Sequence, residues 1–242
     1  MSQASPEDAY NYDAPPETVV TRAREMGARS VAYAYVEPVV SYEYVMATAY
    51  LARKAGLLNV IHSNGFINPA PLEEMCEVID AANIDLKGFS DSFYREISDG
   101  SLAPVLETMR TLKKRKVHLE ITNLVIPTMN DNMSGIREMC RWIREELGKD
   151  IPVQFLRFYP LYKLTRLPPT PVSTLEMARS VALNEGLEYV YIGNLPGHAG
   201  ENTFCPKCGK KIIQRAGYMV IENQMKGGKC GYCGKPIPGI WS

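Results

Sequence analysis

The strongest constraint on the fold is an alternation, repeated six times, of a helix-like segment with a short apolar segment. The apolar segments are five to ten residues long and rich in β-branched and aromatic residues, which favours strands. Several of the segments between them carry charged residues and end at a glycine, as helices commonly do. The predicted strands are residues 30–35, 58–64, 83–87, 117–126, 152–160 and 188–194, and the predicted helices are residues 15–27, 42–56, 71–82, 101–115, 135–147 and 174–186.

This alternation predicts an α/β fold built from repeated strand–helix–strand units around a parallel sheet. The strands are apolar nearly throughout, which is typical of strands buried on both faces. A barrel fits the pattern better than an open doubly wound sheet. Because the chain opens with a helix where such a fold normally begins with a strand, we expect an unpaired edge at the first strand.

The length and composition indicate an ordinary globular protein. The 242 residues suffice for one large domain, or for one domain with a small appendage. No apolar run approaches the ~18 residues of a membrane span, and the first residues lack the charged-then-apolar pattern of a signal peptide. We therefore expect a cytoplasmic protein without a membrane partner.

The formal net charge is zero, but it is unevenly distributed. Residues 201–242 contain seven basic and two acidic side chains, a net charge of +5, which the first 200 residues balance. The basic tail permits a polyanionic partner without requiring one, and we expect no nucleic-acid partner. We predict a barrel domain at residues 1–198 and a small appended module at residues 199–242.

Polar side chains follow five of the six predicted strands at the point where each strand ends. In α/β barrels the chemistry lies at these carboxyl ends, so the five ends should face one mouth. Any one of these residues alone is more often a solvated residue, and Gly65 is explained by a turn alone. Their recurrence on five strands favours a site, formed by Glu37, Ser63, Asn64, Asp85, Lys87, Thr122, Asn123 and Arg157.

The residue types at these ends suit an amino acid joined to a nucleoside. A carboxylate with cationic partners matches an amino-acid zwitterion, and short hydroxyl and amide side chains match ribose hydroxyls. Lys87 has a second interpretation as a Schiff-base nucleophile. Asp85 stands two residues earlier on the same side of the strand and favours charged lysine, which argues against that chemistry.

The segments that carry these residues resemble the radical S-adenosylmethionine (SAM) enzymes. The resemblance is to the branch of pyruvate formate-lyase activating enzyme, and within it to the radical SAM component of the AmmeMemoRadiSam system. It follows the chain in order along nearly its whole length. The matching segments are "YVEP" (35–38), "SNG" (63–65), "NIDLKGFSDSFYR" (83–95), "PVLETM" (104–109), "IPTMND" (126–131), "RFYP" (157–160) and "YIGNLPGHAGENTFCPKCG" (191–209).

The resemblance implies a partial (β/α)6 barrel and a cofactor-binding role for the strand ends. Glu37 would hold the SAM amino group, and Ser63 and Asn64 would lie on the strand facing the cofactor. Asp85, Lys87 and Arg157 would surround its methionine and ribose portions, and Thr122 completes the predicted set. The implied reaction is reductive cleavage of SAM at a [4Fe-4S] cluster, giving a radical that abstracts hydrogen from a macromolecular or small-molecule substrate.

The sequence departs from this family in the cluster motif. The family binds its cluster with CxxxCxxC, and no three of the six cysteines here have that spacing. In relatives the motif follows the first barrel strand and precedes a segment that resembles residues 1–17. We therefore expect a chain that is truncated before this segment, or a partner that supplies the cluster segment. The alternative is a cluster-less SAM-binding or docking protein.

Four of the six cysteines form two CxxC pairs in the tail, Cys205 with Cys208 and Cys230 with Cys233. Each CxxC pair forms a turn that we call a knuckle, and the four thiolates of the two knuckles predict a tetrahedral metal site. A cytoplasmic setting disfavours disulfides between them. Zinc is favoured over a rubredoxin-type iron or an auxiliary iron–sulfur cluster, although tetrahedral sulfur ligation suits both zinc and iron. Because the tail is too short for its own core, metal binding should supply much of its folding free energy.

Overall fold

The computed structural model describes residues 12–241, and the chain in it divides into two compact units. The first unit comprises residues up to Asp85 together with Ala103–Leu119, and the second comprises Leu86–Leu102 and the residues from Glu120 onward. Most of the N-terminal segment that resembles the region after the cluster loop, residues 1–11, lies outside the described residues. The predicted boundary at residues 198 and 199 does not coincide with these units and stays a prediction.

Three parallel strands form the sheet of the first unit. Strands β1 (Ser30–Tyr33), β2 (Leu58–Ser63) and β3 (Ala81–Asp85) pair in chain order, with Ser30 opposite Leu58 and Val60 opposite Ala81. Helices α1 (Pro16–Glu25), α2 (Tyr42–Lys54), α3 (Pro69–Met75) and α5 (Leu102–Lys114) accompany them. Among residues 12–241, β1 pairs with β2 alone, so β1 is an edge strand, as the sequence predicts.

A buried asparagine fixes the register within this first unit. The Asn59 side chain is fully buried, and its Nδ2 donates to the carbonyls of Ala49 and Val78 at 3.0 Å each. Its Oδ1 accepts a hydrogen bond from the Tyr33 hydroxyl, and its backbone N–H donates to the Asp80 carboxylate. One side chain therefore joins β1, α2, β2 and the turn before β3.

The second unit contains three further parallel strands. Strands β4 (His118–Val125), β5 (Val153–Arg157) and β6 (Val190–Gly193) pair in chain order, with Ile121 opposite Val153 and Val153 opposite Val190. Helices α4 (Asp91–Ile97), α6 (Met133–Trp142) and α7 (Val172–Asn184) belong to this unit, and a π-helical turn (Ile143–Leu147) extends α6. The predicted α/β class with parallel strands in chain order is therefore confirmed.

The tail adds two small antiparallel sheets to the second unit. Strands β7 (Thr203–Phe204), β8 (Lys211–Ala216) and β9 (Met219–Asn223) form the first sheet, and β10 (Met225–Lys226) with β11 (Lys229–Cys230) forms the second. The apolar cluster of the tail includes Tyr189, which lies just before β6. The tail therefore packs on a residue outside it, as expected for a segment too short for its own core.

Two details differ from the sequence-based prediction. The predicted helix over residues 71–82 is wrong in its second half, because α3 ends at Met75 and β3 begins at Ala81. Asp80 exchanges hydrogen bonds with the backbone of Asn59, so pairing with β2 competes successfully with helix propagation there. The short helix α4 is absent from the prediction. No helix within residues 12–241 is long and apolar enough to cross a membrane.

We expect Asn59→Ala to lower the free energy of unfolding by roughly 2–4 kcal/mol, because it removes the buried hydrogen bonds from Asn59 to the Ala49 and Val78 carbonyls and the acceptor of the Tyr33 hydroxyl. Urea denaturation followed by circular dichroism would measure the change. Asn68→Ala is the matched control, since Asn68 is exposed and its side chain makes no capping hydrogen bond. An equal loss in both variants would contradict the role of Asn59.

Candidate functional site

Glu37 lies in the turn that follows β1. Tyr35, two residues earlier, adopts a positive φ of 72° and turns the chain out of the strand. Glu37 then occupies the N-cap of a 3-10 turn (Pro38–Ser41), whose first residue has φ fixed by its ring. The proline therefore both ends the extended segment and sets the direction of the carboxylate.

The Glu37 carboxylate accepts three hydrogen bonds within the first unit. Its Oε1 accepts from the Ser63 hydroxyl at 2.7 Å and from the Val39 backbone N–H at 3.3 Å. Its Oε2 accepts from the backbone N–H of Asn64 at 2.7 Å. The carboxylate thus joins the turn after β1 to the turn after β2. A carboxylate offers about four acceptor positions, so one position on Oε2 remains for a further donor.

The segment Ser63-Asn64-Gly65 is shaped to present these donors. Ser63 is buried, and its hydroxyl also accepts a hydrogen bond from the Gly65 N–H at 3.0 Å. The Asn64 side chain accepts from the Phe66 N–H at 2.8 Å. Gly65 has a φ of 73°, and a Cβ there would lie 2.9 Å from Ile84, so the predicted glycine turn is confirmed.

Asp85, at the end of β3, pairs with a residue that the sequence analysis did not select. Its Oδ1 lies 3.3 Å from Nε2 of His62, the penultimate residue of β2. The Asp85 side chain is 16% exposed and that of His62 is 47% exposed. Only the parallel register, which places His62 opposite Asn83, brings these side chains together. That register is the signal that sequence reasoning lacked.

Lys87 and Thr122 lie in the second unit, where backbone contacts hold them. The Lys87 carbonyl accepts from Asn130 Nδ2 at 2.6 Å, and the Thr122 carbonyl accepts from the Leu86 N–H at 2.9 Å. Thr122 is buried. Asn123 next to it is also buried, and its Nδ2 donates to the Leu86 carbonyl.

Arg157, at the end of β5, is positioned by neighbours within the second unit. Its Nε donates to the Thr170 carbonyl at 2.9 Å, and its Nη1 donates to the Tyr159 hydroxyl at 3.2 Å. Its guanidinium lies 5.1 Å from the centre of the Tyr159 ring. The structure therefore brings Glu37, Ser63 and Asn64 together in one unit and fixes Arg157 in the other. The cofactor-binding roles of the seven residues to which the sequence analysis assigns one, all of the selected set except Asn123, stay predictions.

The two CxxC pairs form two knuckles with the same backbone pattern. In the first knuckle the Cys205 N–H donates to the Lys210 carbonyl, and the Gly209 N–H donates to the Cys205 carbonyl. In the second knuckle Cys230 makes the same pair of bonds with Lys235 and Gly234. The two glycines have φ values of 70° and 71°, so each knuckle closes through a left-handed glycine.

The four sulfur atoms match the geometry of a tetrahedral metal centre. All four lie within 4.8 Å of one another, with 3.6 Å between Cys205 and Cys233 and 3.8 Å between Cys208 and Cys230. A metal–sulfur bond of about 2.3 Å in a tetrahedron requires sulfur–sulfur distances of about 3.8 Å. The four cysteines are free thiols in this structure, and their donor set fits a metal ion. The predicted metal-ligating group is therefore present.

The thiols of this group have unequal tendencies to ionise. Burial opposes ionisation of Cys230, but hydrogen bonds from the backbone of Tyr232 and Cys233 outweigh it and lower the pKa of Cys230 to about 7. A backbone hydrogen bond at Lys235 acts to lower the pKa of Cys233, but burial and the neighbouring thiols prevail and raise it to about 11. The Cys230 thiol therefore loses its proton more readily than the Cys233 thiol does.

The remaining cysteines are buried and inert. Burial raises the pKa of Cys76 to about 11 and that of Cys140 to about 12. Cys76 lies in the first unit and Cys140 in the second, on α6. Neither has the exposed, electropositive surroundings of a reactive or ligating thiolate.

The comparisons with known proteins place this chain among radical SAM proteins. A family model described as the Radical SAM superfamily matches residues 4–143. An uncharacterized protein of Methanocaldococcus jannaschii is 43% identical over 239 residues, which cover 98% of this chain and 71% of that protein. Pyruvate formate-lyase 1-activating enzyme of Escherichia coli K12 is 21% identical over 168 residues, 64% of this chain and 68% of the enzyme.

Solved structures share the fold at low sequence identity. A domain of a pyruvate-formate lyase-activating enzyme from Bacteroides vulgatus superposes with a TM-score of 0.59 at 14% identity, covering 68% of this chain and 99% of that one. SuiB of Streptococcus suis, bound to S-adenosylmethionine, superposes with a TM-score of 0.63 at 13% identity. The superposition covers 84% of this chain and 49% of SuiB. These similarities confirm the predicted fold class.

We expect the purified chain to bind one metal ion at the four-cysteine group, and Cys208→Ser to release it at chelator concentrations that leave the unsubstituted protein loaded. Metal analysis after dialysis would measure the content. In a Trp142→Phe background, Trp241 reports on the second knuckle, because its ring lies against Gly228 and its Nε1 donates to the Ile237 carbonyl. Its emission should shift to longer wavelength when the metal is removed.

Cys76→Ala is the control for this experiment, since its thiol lies outside the knuckles. Equal metal contents in Cys208→Ser and the unsubstituted chain would contradict the assignment of the site.

Proposed function

Because the chain belongs to the radical SAM superfamily, we propose that it binds S-adenosylmethionine through the carboxylate of Glu37. The observation that carries this proposal is the acceptor position that remains on Oε2 beside three bonds from the protein. An ammonium group is a donor that matches this position in charge and in hydrogen bonding. Ser63 and Asn64 would hold the carboxylate in place for it.

We propose cofactor-binding roles for the other selected residues as well. Asp85 and Lys87 would bind the methionine and ribose portions. Thr122 would act from within β4, and Arg157 from the end of β5. Arg157 suits a carboxylate, because its planar guanidinium is held in place by Thr170 and Tyr159. Bound SAM supplies a reactive sulfonium, and the residues of this chain bind and orient it.

The cysteines of this sequence do not fit the [4Fe-4S] cluster that reductive SAM cleavage requires. Cys76 and Cys140 are buried in separate units with raised pKa values. The other four sulfurs form one closed tetrahedral set, which leaves no open coordination position for a substrate. We therefore propose that the cluster ligands come from outside these 242 residues, and no step through the cluster is assigned to this chain.

We propose zinc as the metal of the four-cysteine group. Four thiolates in a closed tetrahedron are typical of structural zinc. Iron accepts the same ligands, so metal analysis of the protein decides between them. Four thiolates with one divalent ion carry two negative charges, which reduces the +5 of the tail to +3.

A second candidate function is a cluster-less protein that binds SAM or docks a partner through its zinc ribbon. The closed set of four sulfurs, which leaves no open coordination position for a substrate, suits this candidate. In its SAM-binding form, the second candidate shares the role of Glu37 with the first and differs from it on SAM cleavage. The partner, whether macromolecular or small, is left unassigned by both.

We expect Glu37→Gln to weaken SAM binding about 10- to 100-fold, the effect of losing one charge-assisted hydrogen bond. Isothermal titration calorimetry would measure it. Glu43→Gln on α2 is the matched control, since its carboxylate is exposed and lies on a helix surface. Ser63→Ala should weaken SAM binding less, because it removes one hydrogen bond that positions the Glu37 carboxylate but leaves the charge of that carboxylate in place. Equal affinity in Glu37→Gln and the unsubstituted chain would exclude Glu37 as a ligand.

We also expect that this 242-residue chain, reconstituted anaerobically with iron and sulfide and supplied with SAM and a reductant, produces no 5′-deoxyadenosine. The reason is that its cysteines lack the three-thiolate spacing of a cluster with an open iron. Chromatography of the products would detect the nucleoside. Cluster-dependent formation by this chain alone would refute the assignment of the cluster ligands to an outside segment.

A further inference from the structure

Arg179 on α7 is a half-buried arginine without an acidic partner among residues 12–241. Its Nε donates to the Val190 carbonyl at 2.9 Å, which holds the guanidinium against β6. Its terminal nitrogens, Nη1 and Nη2, make no hydrogen bond or ion pair to the described residues. Burial lowers the pKa of Arg179 from its ordinary value, whereas the neighbouring Tyr191 acts in the opposite direction. Because a desolvated charge is costly unless it is paired, the missing partner is a feature to be explained.

The Arg179 side chain lines a cavity of about 400 Å³ between α7 and the first knuckle. All the residues around this cavity belong to the second unit, and it borders β6, which pairs only with β5 among the described residues. A cavity of this size admits a small molecule. Its apolar wall, against which the body of such a molecule would pack, is formed by Leu183, Leu187, Tyr189, Tyr191, Phe204 and Pro206.

Two acidic side chains on and after α7 have other partners. Glu188, which lines the cavity, forms ion pairs with Lys149 at 2.8 Å and with Lys235 at 3.4 Å. Glu176, one turn earlier on α7 than the unpaired guanidinium, lies 3.3 Å from Nε2 of His198. In the part of the chain that the structure describes, neither carboxylate neutralises the guanidinium. An anion from outside the chain would do so.

A second donor without a partner lines the same cavity. The side-chain Oδ1 of Asn202 accepts a hydrogen bond from the Arg215 backbone N–H at 2.8 Å, which orients the amide group. The Nδ2 of this amide makes no hydrogen bond to residues 12–241. Two side chains of the cavity therefore present unused donors, and the acceptor of one of them is already taken.

We propose that this cavity binds a small anionic molecule whose carboxylate or phosphate group accepts hydrogen bonds from Arg179 and Asn202. The planar guanidinium presents two parallel N–H donors, and both oxyanions match that geometry. The net charge of +5 on residues 201–242, or +3 with a metal ion on the four thiolates, attracts such a ligand. The proposal does not rest on SAM binding, because Glu37 belongs to the first unit.

The test uses three ring compounds as probes of the full chain. Phenyl phosphate and benzoate carry the two candidate anionic groups on the same ring, and benzamide is a neutral analogue of benzoate. Isothermal titration calorimetry would measure the dissociation constants. We expect one of the two anions to bind at least tenfold more tightly than benzamide, and the tighter anion identifies the group that the site prefers.

Two variants with matched controls assign the binding to this cavity. Arg179→Gln should weaken binding of the preferred anion about 10- to 100-fold, the effect of losing a charge-assisted hydrogen bond. Lys207→Gln is its control, since it removes one positive charge from an exposed position of the first knuckle. Leu183→Trp keeps the arginine but fills part of the cavity, and it should also weaken binding at least tenfold. Met177→Trp, at an exposed position of α7 outside the cavity, should have no effect.

Thermal melting of each variant shows that it is folded, and Leu183→Trp tests the cavity even where loss of the Arg179 bond to Val190 destabilises the chain. In two-dimensional NMR spectra of the unsubstituted chain, the preferred anion should shift the backbone amide signals of Asn202 and Phe204.

Three results would overturn the proposal. Binding of both anions no tighter than that of benzamide would show that water alone satisfies the two donors. Equal losses in Arg179→Gln and Lys207→Gln would indicate attraction to the basic tail without a site. Shifts of amide signals confined to residues outside the cavity would place the anion elsewhere. None of these results bears on SAM binding by Glu37, which its own variant tests.

Discussion

Parallel pairing is the constraint on which the rest of the structure depends. A parallel strand has to be followed by a return segment, so each strand ends at the same edge as its neighbours in the sheet. In the first unit this constraint brings the turn after β1 beside the turn after β2. The Glu37 carboxylate spans the two turns with one serine hydroxyl and two backbone N–H groups. Its orientation is therefore set by the sheet before any ligand arrives.

The two candidate sites are prepared for their ligands to different degrees. Glu37 is held by three hydrogen bonds, so little conformational freedom is lost when it receives a further donor. The knuckles bring four sulfurs to distances that suit a metal, but the raised pKa of Cys233 opposes formation of its thiolate without a metal ion. The first site is preorganised in the protein alone, and the second is completed by the ion.

The sequence predicts the features that local spacing determines. Strand and helix order follows from apolar segments and glycine stops. The knuckles follow from two CxxC pairs, and Gly65 follows from its place at a strand end. What could not be predicted depends on register between strands. The pair of His62 with Asp85 requires two neighbouring strands to align, and the end of α3 at Met75 depends on Asp80 bonding to Asn59. The packing of Tyr189 against Cys205 and Cys230 likewise joins the start of β6 to a later segment of the chain, and no local spacing encodes it.

The repeated hydrogen-bond pattern of the two knuckles has a consequence for the length of the tail. Each knuckle closes on itself through its own glycine, so neither takes these hydrogen bonds from residues 211–223, which lie between the knuckles. Those residues form the β8–β9 hairpin, whose tip carries the fully exposed Tyr218. The entropy of closing a loop grows only logarithmically, and doubling its length costs about 0.6 kcal/mol. The tip of the hairpin is thus the part of the tail where a change of length should disturb the coordination sphere least.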